Sequence, residues 1–250
     1  MVNLLVLGGT TEATALCRRL AEAGLRGTIS FAGRVDRPVR QPLPQRVGGF
    51  GGVEGLAAYL RAEGITHLVD ATHPFAAQMS ANAVEAARLT GVPLVALTRA
   101  AWEPVAGDDW QRVPDIAGAV AALDRPACRV MLAVGRMHLD AFAPNPQHDY
   151  LLRLVDPPKG DLPFPKARVV VDRGPFTLVG DLALMREFGA QIVVSKNAGG
   201  SGAHAKIEAA RLMRLPVIMI DRPALPSRAE AHSVEQVTDW LAHARADLGV

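Results

Sequence analysis

The feature that most restricts this chain is an alternation of short apolar runs with helix-period segments, joined by connections of only a few residues. Residues 2–7 form a continuous apolar run of strand length, and helical periodicity follows from about residue 11 to 23, closing at Gly24. Residues 28–32 read as a second strand, and Arg46 and Val47 fall in a short third one. A helix is expected over 53–63, a strand over 66–71, a helix over 76–90 up to Gly91, and a strand over 93–98. Strands that are apolar on both faces and alternate with helices belong to a parallel sheet covered on both sides.

Residues 100–109 lose the apolar rhythm and mark a boundary, after which a second series begins. It comprises helices near 115–123, 178–188, 203–214 and 234–246, with strands near 129–134, 150–155, 168–171, 191–195 and 217–220. Residues 156–165 contain four prolines and read as a surface loop. The expectation is therefore an α/β protein of two Rossmann-like lobes, residues 1–99 and 100–250, with parallel sheets facing across a central cleft. The start of the chain has no basic, cleavable leader, and no apolar run reaches membrane-spanning length, so a cytoplasmic protein without membrane contact is expected. The net charge of +2 gives no nucleic-acid footprint. Cys17 and Cys128 stand far apart and read as packing residues, and no histidine or cysteine spacing suggests a metal site.

Three constellations carry chemistry, each where a strand ends and a helix begins. The first is Gly8, Gly9, Thr10, Thr11, Glu12 and Ala13. Backbone N–H groups at such a helix start can face a pyrophosphate, although Thr10 stands where the dinucleotide fingerprint has its middle glycine. Its hydroxyl could donate to phosphate; a tight corner capped by Thr10 or Thr11 would use the same residues. About twenty residues on, an NAD site would place a carboxylate, whereas this chain offers Ser30 and Arg34, which suit the 2′-phosphate of NADPH. The second constellation is Asp70, Thr72 and His73 before Pro74, with Thr72 or His73 as a helix cap on the plainer reading. The third is Ser195, Lys196, Asn197, Ala198, Gly199 and Gly200, ahead of a helix containing Lys206. It forms an anion cradle or a flexible hinge, and it lacks the lysine–serine/threonine pair of a Walker loop.

These three stretches, in this order and over essentially the whole length, make the chain resemble the precorrin-6A reductase family of cobalamin (corrin-ring) biosynthesis. Ala198 departs from the pattern, where a serine would be expected. The resemblance implies an NADPH-dependent oxidoreductase that converts precorrin-6A to precorrin-6B by hydride transfer to a ring carbon of the macrocycle. The first lobe would bind NADPH through Gly8, Gly9, Thr10, Thr11, Glu12, Ser30, Arg34, Asp70, Thr72 and His73. The second would help hold the acetate- and propionate-fringed tetrapyrrole through Arg136, Arg173, Ser195, Lys196, Asn197, Gly199, Gly200 and Lys206, with Arg99 beside them. No side chain stands out as a catalytic acid, and a protonated ring nitrogen of the substrate would serve as electron sink. Transient contact with neighbouring pathway enzymes is the one macromolecular partnership implied. A reductase of another conjugated polycarboxylate, or a non-enzymatic NADPH-binding regulator, would share the first lobe; the cationic second loop favours an enzyme.

Overall fold

In the computed structural model the described residues are 2–33, 40–158, 160–174 and 176–246. They fall into two compact units, one of Met1–Ala100 with Ala224–Val250, the other Ala101–Pro223.

The first unit is built on β1 (Asn3–Leu7), β2 (Arg26–Phe31), β3 (Gln45–Val47), β4 (His67–Asp70), β5 (Leu94–Leu97) and, from late in the chain, β12 (Ala229–Ala231). The strand order is β12-β5-β4-β1-β2-β3, and every pairing is parallel. The alternation along β1 shows why the sheet is covered on both faces. Leu4 and Val6 pack with Leu16, Cys17 and Leu20 of α1 (Thr11–Glu22) and with Val237 and Leu241 of α7 (Val234–Ala246). Leu5 and Leu7 point the other way, into α2 (Gly52–Ala62) and α3 (Ala77–Thr90).

The second unit repeats this plan with β6 (Trp110–Val113), β7 (Arg129–Ala133), β8 (Asp149–Leu154), β9 (Ala167–Val171), β10 (Ile192–Lys196) and β11 (Val217–Ile220). Its order is β6-β11-β10-β7-β8-β9, again all parallel. The helices α5 (Leu178–Phe188) and α6 (Ala205–Leu212) cover one face through Met185, Phe188, Ile207 and Ala210, against Met131, Leu151 and Val193. A short helix, α4 (Ile116–Ala122), precedes β7, and a 3₁₀ helix at Arg136–Phe142 follows it.

The two sheets are topologically alike. Over five strands of each (β1 to β5, and β7 to β11), the chain builds outward from a central strand in one direction, then crosses back and builds in the other, with β12 and β6 added at the edge. The reversal lies between β1 and β4 in one sheet and between β7 and β10 in the other. Open α/β sheets bind ligands at the carboxyl ends of the strands on either side of such a reversal.

One edge strand departs from the expected division at residue 100. The strand after β5 in the chain, β6, joins the second sheet, while the strand after β11, β12, joins the first. Residues 224–246 thus belong with the first unit rather than with the 100–250 lobe. The physical reason is packing: Val237 and Leu241 bury against α1, and Trp240 lies edge-on to His67 of β4 at 5.5 Å between ring centres. Among the described residues, no helix is long and apolar enough to cross a membrane, and no group of three or more His, Cys, Asp or Glu side chains could hold a metal ion.

Candidate functional site

At the first reversal the loop after β1 is fixed largely by its own side chains. The Gly8 N–H donates to the Ser30 carbonyl at 2.9 Å, which lays the loop against the end of β2. A Cβ on Gly8 would stand 2.7 Å from Ile29 Cδ1, so a side chain there would displace its neighbour. Gly9 has φ +127°, with no atom within 4 Å of the position a Cβ would take, and it is exposed. Only glycine adopts this backbone readily, and it leaves room for a ligand to approach the main chain.

Thr10 caps α1: its hydroxyl oxygen accepts the Ala13 N–H at 3.1 Å and its proton goes to the Ala71 carbonyl at 2.9 Å. The Thr10 hydroxyl is therefore not the phosphate donor expected from sequence; it ties the loop to the end of β4. Helix geometry leaves the N–H groups of Thr11 and Glu12 without intrahelical acceptors, and these are the donors that fit a pyrophosphate. The Thr11 hydroxyl donates to Glu12, whose carboxylate lies 3.5 Å from Arg99. Arg99, which follows β5 of the first sheet, thus sits beside the glycine loop of the first unit.

Beside this loop, Asp70 ends β4 almost fully enclosed. One carboxylate oxygen accepts both the Thr72 N–H (3.1 Å) and the Thr72 hydroxyl (2.7 Å), and the other accepts Arg228 at 2.7 Å. Ser80 of α3 lies 3.4 Å from the Thr72 hydroxyl. Neither Thr72 nor His73 caps a helix, since α3 begins only at Ala77 and Pro74–Phe75 forms a turn. His73 Nδ1 accepts the Phe75 N–H at 3.2 Å, which in the neutral ring leaves the proton on Nε2. On the other flank the buried Ser30 hydroxyl accepts from Arg46, whose guanidinium lies over the Phe50 ring at 3.8 Å. Arg34 lies outside the described residues.

At the second reversal the glycine loop after β10 is held by a scaffold of side chains. Asn197 accepts the Trp102 N–H (2.8 Å) and donates to the Trp102 carbonyl (2.9 Å). The Trp102 indole N–H donates to the Gly200 carbonyl at 2.8 Å, and Arg222 donates to the carbonyls of Asn197 and Ala198. Gly199 and Gly200 both take φ +67°, which accounts for the glycine pair. Lys206 is buried, its ammonium donating to the Ala203 carbonyl at 2.6 Å and lying 4.9 Å from the Trp102 ring centre. Asn197 and Lys206 are therefore struts of the loop, and the Ser195 hydroxyl donates inward to the Lys196 carbonyl.

Lys196 ends β10, and its Nζ lies 4.0 Å from where a Gly135 side chain would begin, at the end of β7. Arg136 follows Gly135, so the neighbouring strands β7 and β10 bring two cations to one stretch of the sheet edge. Arg173, after β9, pairs with Asp156 after β8 at 2.5 Å. Sequence reasoning missed Arg228, Arg46, Trp102 and Arg222. All four act through contacts distant in sequence or lie in stretches without periodicity. The cysteines are remote from both reversals in chemistry: burial pushes the Cys17 thiol up to about 12 and also raises Cys128.

Comparison with known proteins covers nearly the whole chain. The family model described as precorrin-6x reductase CbiJ/CobK matches residues 3–242. The chain is 58% identical over 251 residues to the precorrin-6A reductase of Rhodobacter capsulatus, covering 100% of both. It is 45% identical over 249 residues to that of Sinorhizobium sp, covering 97% of this chain and 95% of the relative. A solved structure titled CobK precorrin-6A reductase superposes with a TM-score of 0.94 at 58% identity, covering 97% of each chain.

Proposed function

The chain belongs to the precorrin-6x reductase CbiJ/CobK family, and from that premise we propose that it reduces precorrin-6A to precorrin-6B with NADPH as hydride donor. It is an oxidoreductase acting on a carbon–carbon double bond. The observation that carries the substrate is the 58% identity, end to end, to a precorrin-6A reductase. The glycine corner supports the dinucleotide: Gly9 is open to the approach of a ligand at the start of α1, and residues 26–33, the described residues of β2 and its end, include no carboxylate.

When bound, NADPH supplies a hydride to one ring carbon of the macrocycle. The chain's own residues bind and orient. The first-turn N–H groups of Thr11 and Glu12 would hold the pyrophosphate, with Gly8 and Gly9 giving the backbone close approach. Ser30 and Arg34 would take the 2′-phosphate, and Thr72, held by Asp70, and His73 would border the nicotinamide. In the second unit Lys196 and Arg136 meet carboxylates of the tetrapyrrole, while Asn197, Trp102 and Arg222 keep the loop in shape. A protonated ring nitrogen of the substrate would serve as the electron sink, leaving the chain's own residues to bind and orient. Hydride transfer depends steeply on geometry, so orientation is the protein's main contribution.

Anaerobic incubation with precorrin-6A and either NADPH or NADH tests this directly. The expected result is one NADPH consumed per macrocycle, with a matching change in the pigment spectrum and little turnover with NADH. Absence of NADPH oxidation with precorrin-6A, or equal turnover with NADH, contradicts the reading.

A further inference from the structure

We propose that Arg228 is a positioning residue for cofactor binding, acting through Asp70 to hold Thr72 at the end of β4. The inference rests on the reading above that this strand end borders the nicotinamide.

Its basis is the division of labour within one carboxylate. The Asp70 and Arg228 side chains are 1% and 6% exposed, so their 2.7 Å pair is almost wholly withdrawn from water. Asp70 uses its second oxygen for two donors of the same residue, the Thr72 N–H and hydroxyl. Ala71, between them, donates its N–H to the Leu7 carbonyl at 2.9 Å and accepts the Thr10 hydroxyl at 2.9 Å. Residues 70–72 are thus gripped by Arg228 on one side and by the glycine corner on the other.

Glu230 is a second ionic neighbour of Arg228, 3.5 Å from its Nε, and at 45% exposed it is too solvated to fix it.

A role in stability alone accounts poorly for this arrangement. The segment carrying Arg228 is already anchored by the β12–β5 pairing and by Val237 and Leu241 packed against α1. A buried ion pair contributes little net stability over apolar residues of the same size, because desolvation offsets the attraction. What it does supply is geometry. With Arg228 removed, the Asp70 carboxylate is a buried charge without its partner, and its orientation toward Thr72 is no longer determined.

The test compares wild type with Arg228→Met, Thr72→Val and the double variant Arg228→Met/Asp70→Asn. NADPH affinity is read by calorimetry, and amide hydrogen exchange over residues 68–80 is read without cofactor. Arg228→Met should weaken NADPH by about tenfold or more, the scale of one hydrogen bond to a charged group, and should speed exchange in that segment. Thr72→Val, which keeps the ion pair, should show a comparable loss of affinity. In the double variant a neutral amide replaces the stranded charge and still offers Thr72 an acceptor, so affinity should return to within about threefold of wild type. A folded Arg228→Met with wild-type NADPH affinity and exchange overturns the proposal. So does Thr72→Val with full affinity, which remains decisive where Arg228→Met fails to fold. Should wild type itself not bind NADPH, the cofactor reading fails, while exchange over residues 68–80 still decides whether Arg228 holds the segment.

Discussion

The two units share a strand order and place their candidate residues at the same topological position, yet they use them in opposite ways. At the first reversal the side chains are spent on each other: Thr10 on Ala71, Thr72 on Asp70, Asp70 on Arg228, Glu12 with Arg99, Ser30 with Arg46. What they leave for a ligand is mainly main chain, the exposed Gly9 and the first turn of α1. At the second reversal the main chain of the glycine loop is the part held down, by Trp102, Asn197 and Arg222, and the strand ends carry Lys196 and Arg136. A dinucleotide's pyrophosphate suits the first arrangement, since small oxyanions are well served by N–H groups at fixed geometry. A large polycarboxylate suits the second, since its anionic groups are widely spaced and need long cationic side chains.

The largest effect that would sharpen this contrast is in the second unit. Lys196→Ala should lower kcat/KM for the macrocycle by the equivalent of about 2–5 kcal/mol, typical of truncating one partner of a buried charge pair. Lys206→Met should instead leave the macrocycle KM near wild type and lower the melting temperature, because that ammonium is a strut on Ala203. Steady-state kinetics beside thermal melts separates the two lysines. Equal KM effects would return Lys206 to the ligand-contacting set.

In the first unit, Arg34→Ala should weaken NADPH by about 1.5–3 kcal/mol and leave NADH nearly unchanged. Titrating both cofactors into both proteins decides it, and equal weakening removes Arg34 from the 2′-phosphate.

Thr10→Ala removes a cap and the link to Ala71. A loss of about 0.5–2 kcal/mol of stability in denaturant melts is expected, with a smaller fall in NADPH affinity, since the phosphate-facing groups are backbone. An affinity loss without destabilisation would mean the hydroxyl touches the ligand after all.

A further expected effect is a pH dependence to which the first unit's buried thiol contributes. Cys17 holds its proton to about 12 in the folded protein, against roughly 8.5 in an unfolded chain. Its stabilising contribution is complete below the unfolded value and is lost as pH rises from there toward 12. Stability of Cys17→Ala should therefore fall less steeply than wild type above about pH 8.5, and Cys128→Ala should differ less. Identical slopes for wild type and Cys17→Ala would contradict the burial argument.

Much of this was legible in the sequence because parallel strands buried on both faces announce themselves as continuous apolar runs. The expected bounds of α5, α7 and β11 coincide with those observed. Two edge strands were not legible. β12 is Ala-Glu-Ala, with no apolar pattern, and β6 alternates too briefly to stand out. Missing β12 hid the return of residues 224–246 to the first unit, and with it Arg228. The loops were placed correctly as loops, but which of their polar atoms face inward depends in part on distant partners, such as Ala71 for Thr10, 61 residues away, and Arg228 for Asp70, 158 away. Local spacing carries no information about that.

The central claim is that NADPH belongs to the first unit and the macrocycle's carboxylates to the second. Calorimetric titration of NADPH into Lys196→Ala, without substrate, tests it most directly. The account predicts an affinity indistinguishable from wild type. A large loss of NADPH affinity would mean that the second unit's loop grips the cofactor's phosphates, and the assignment of the two units would have to be exchanged.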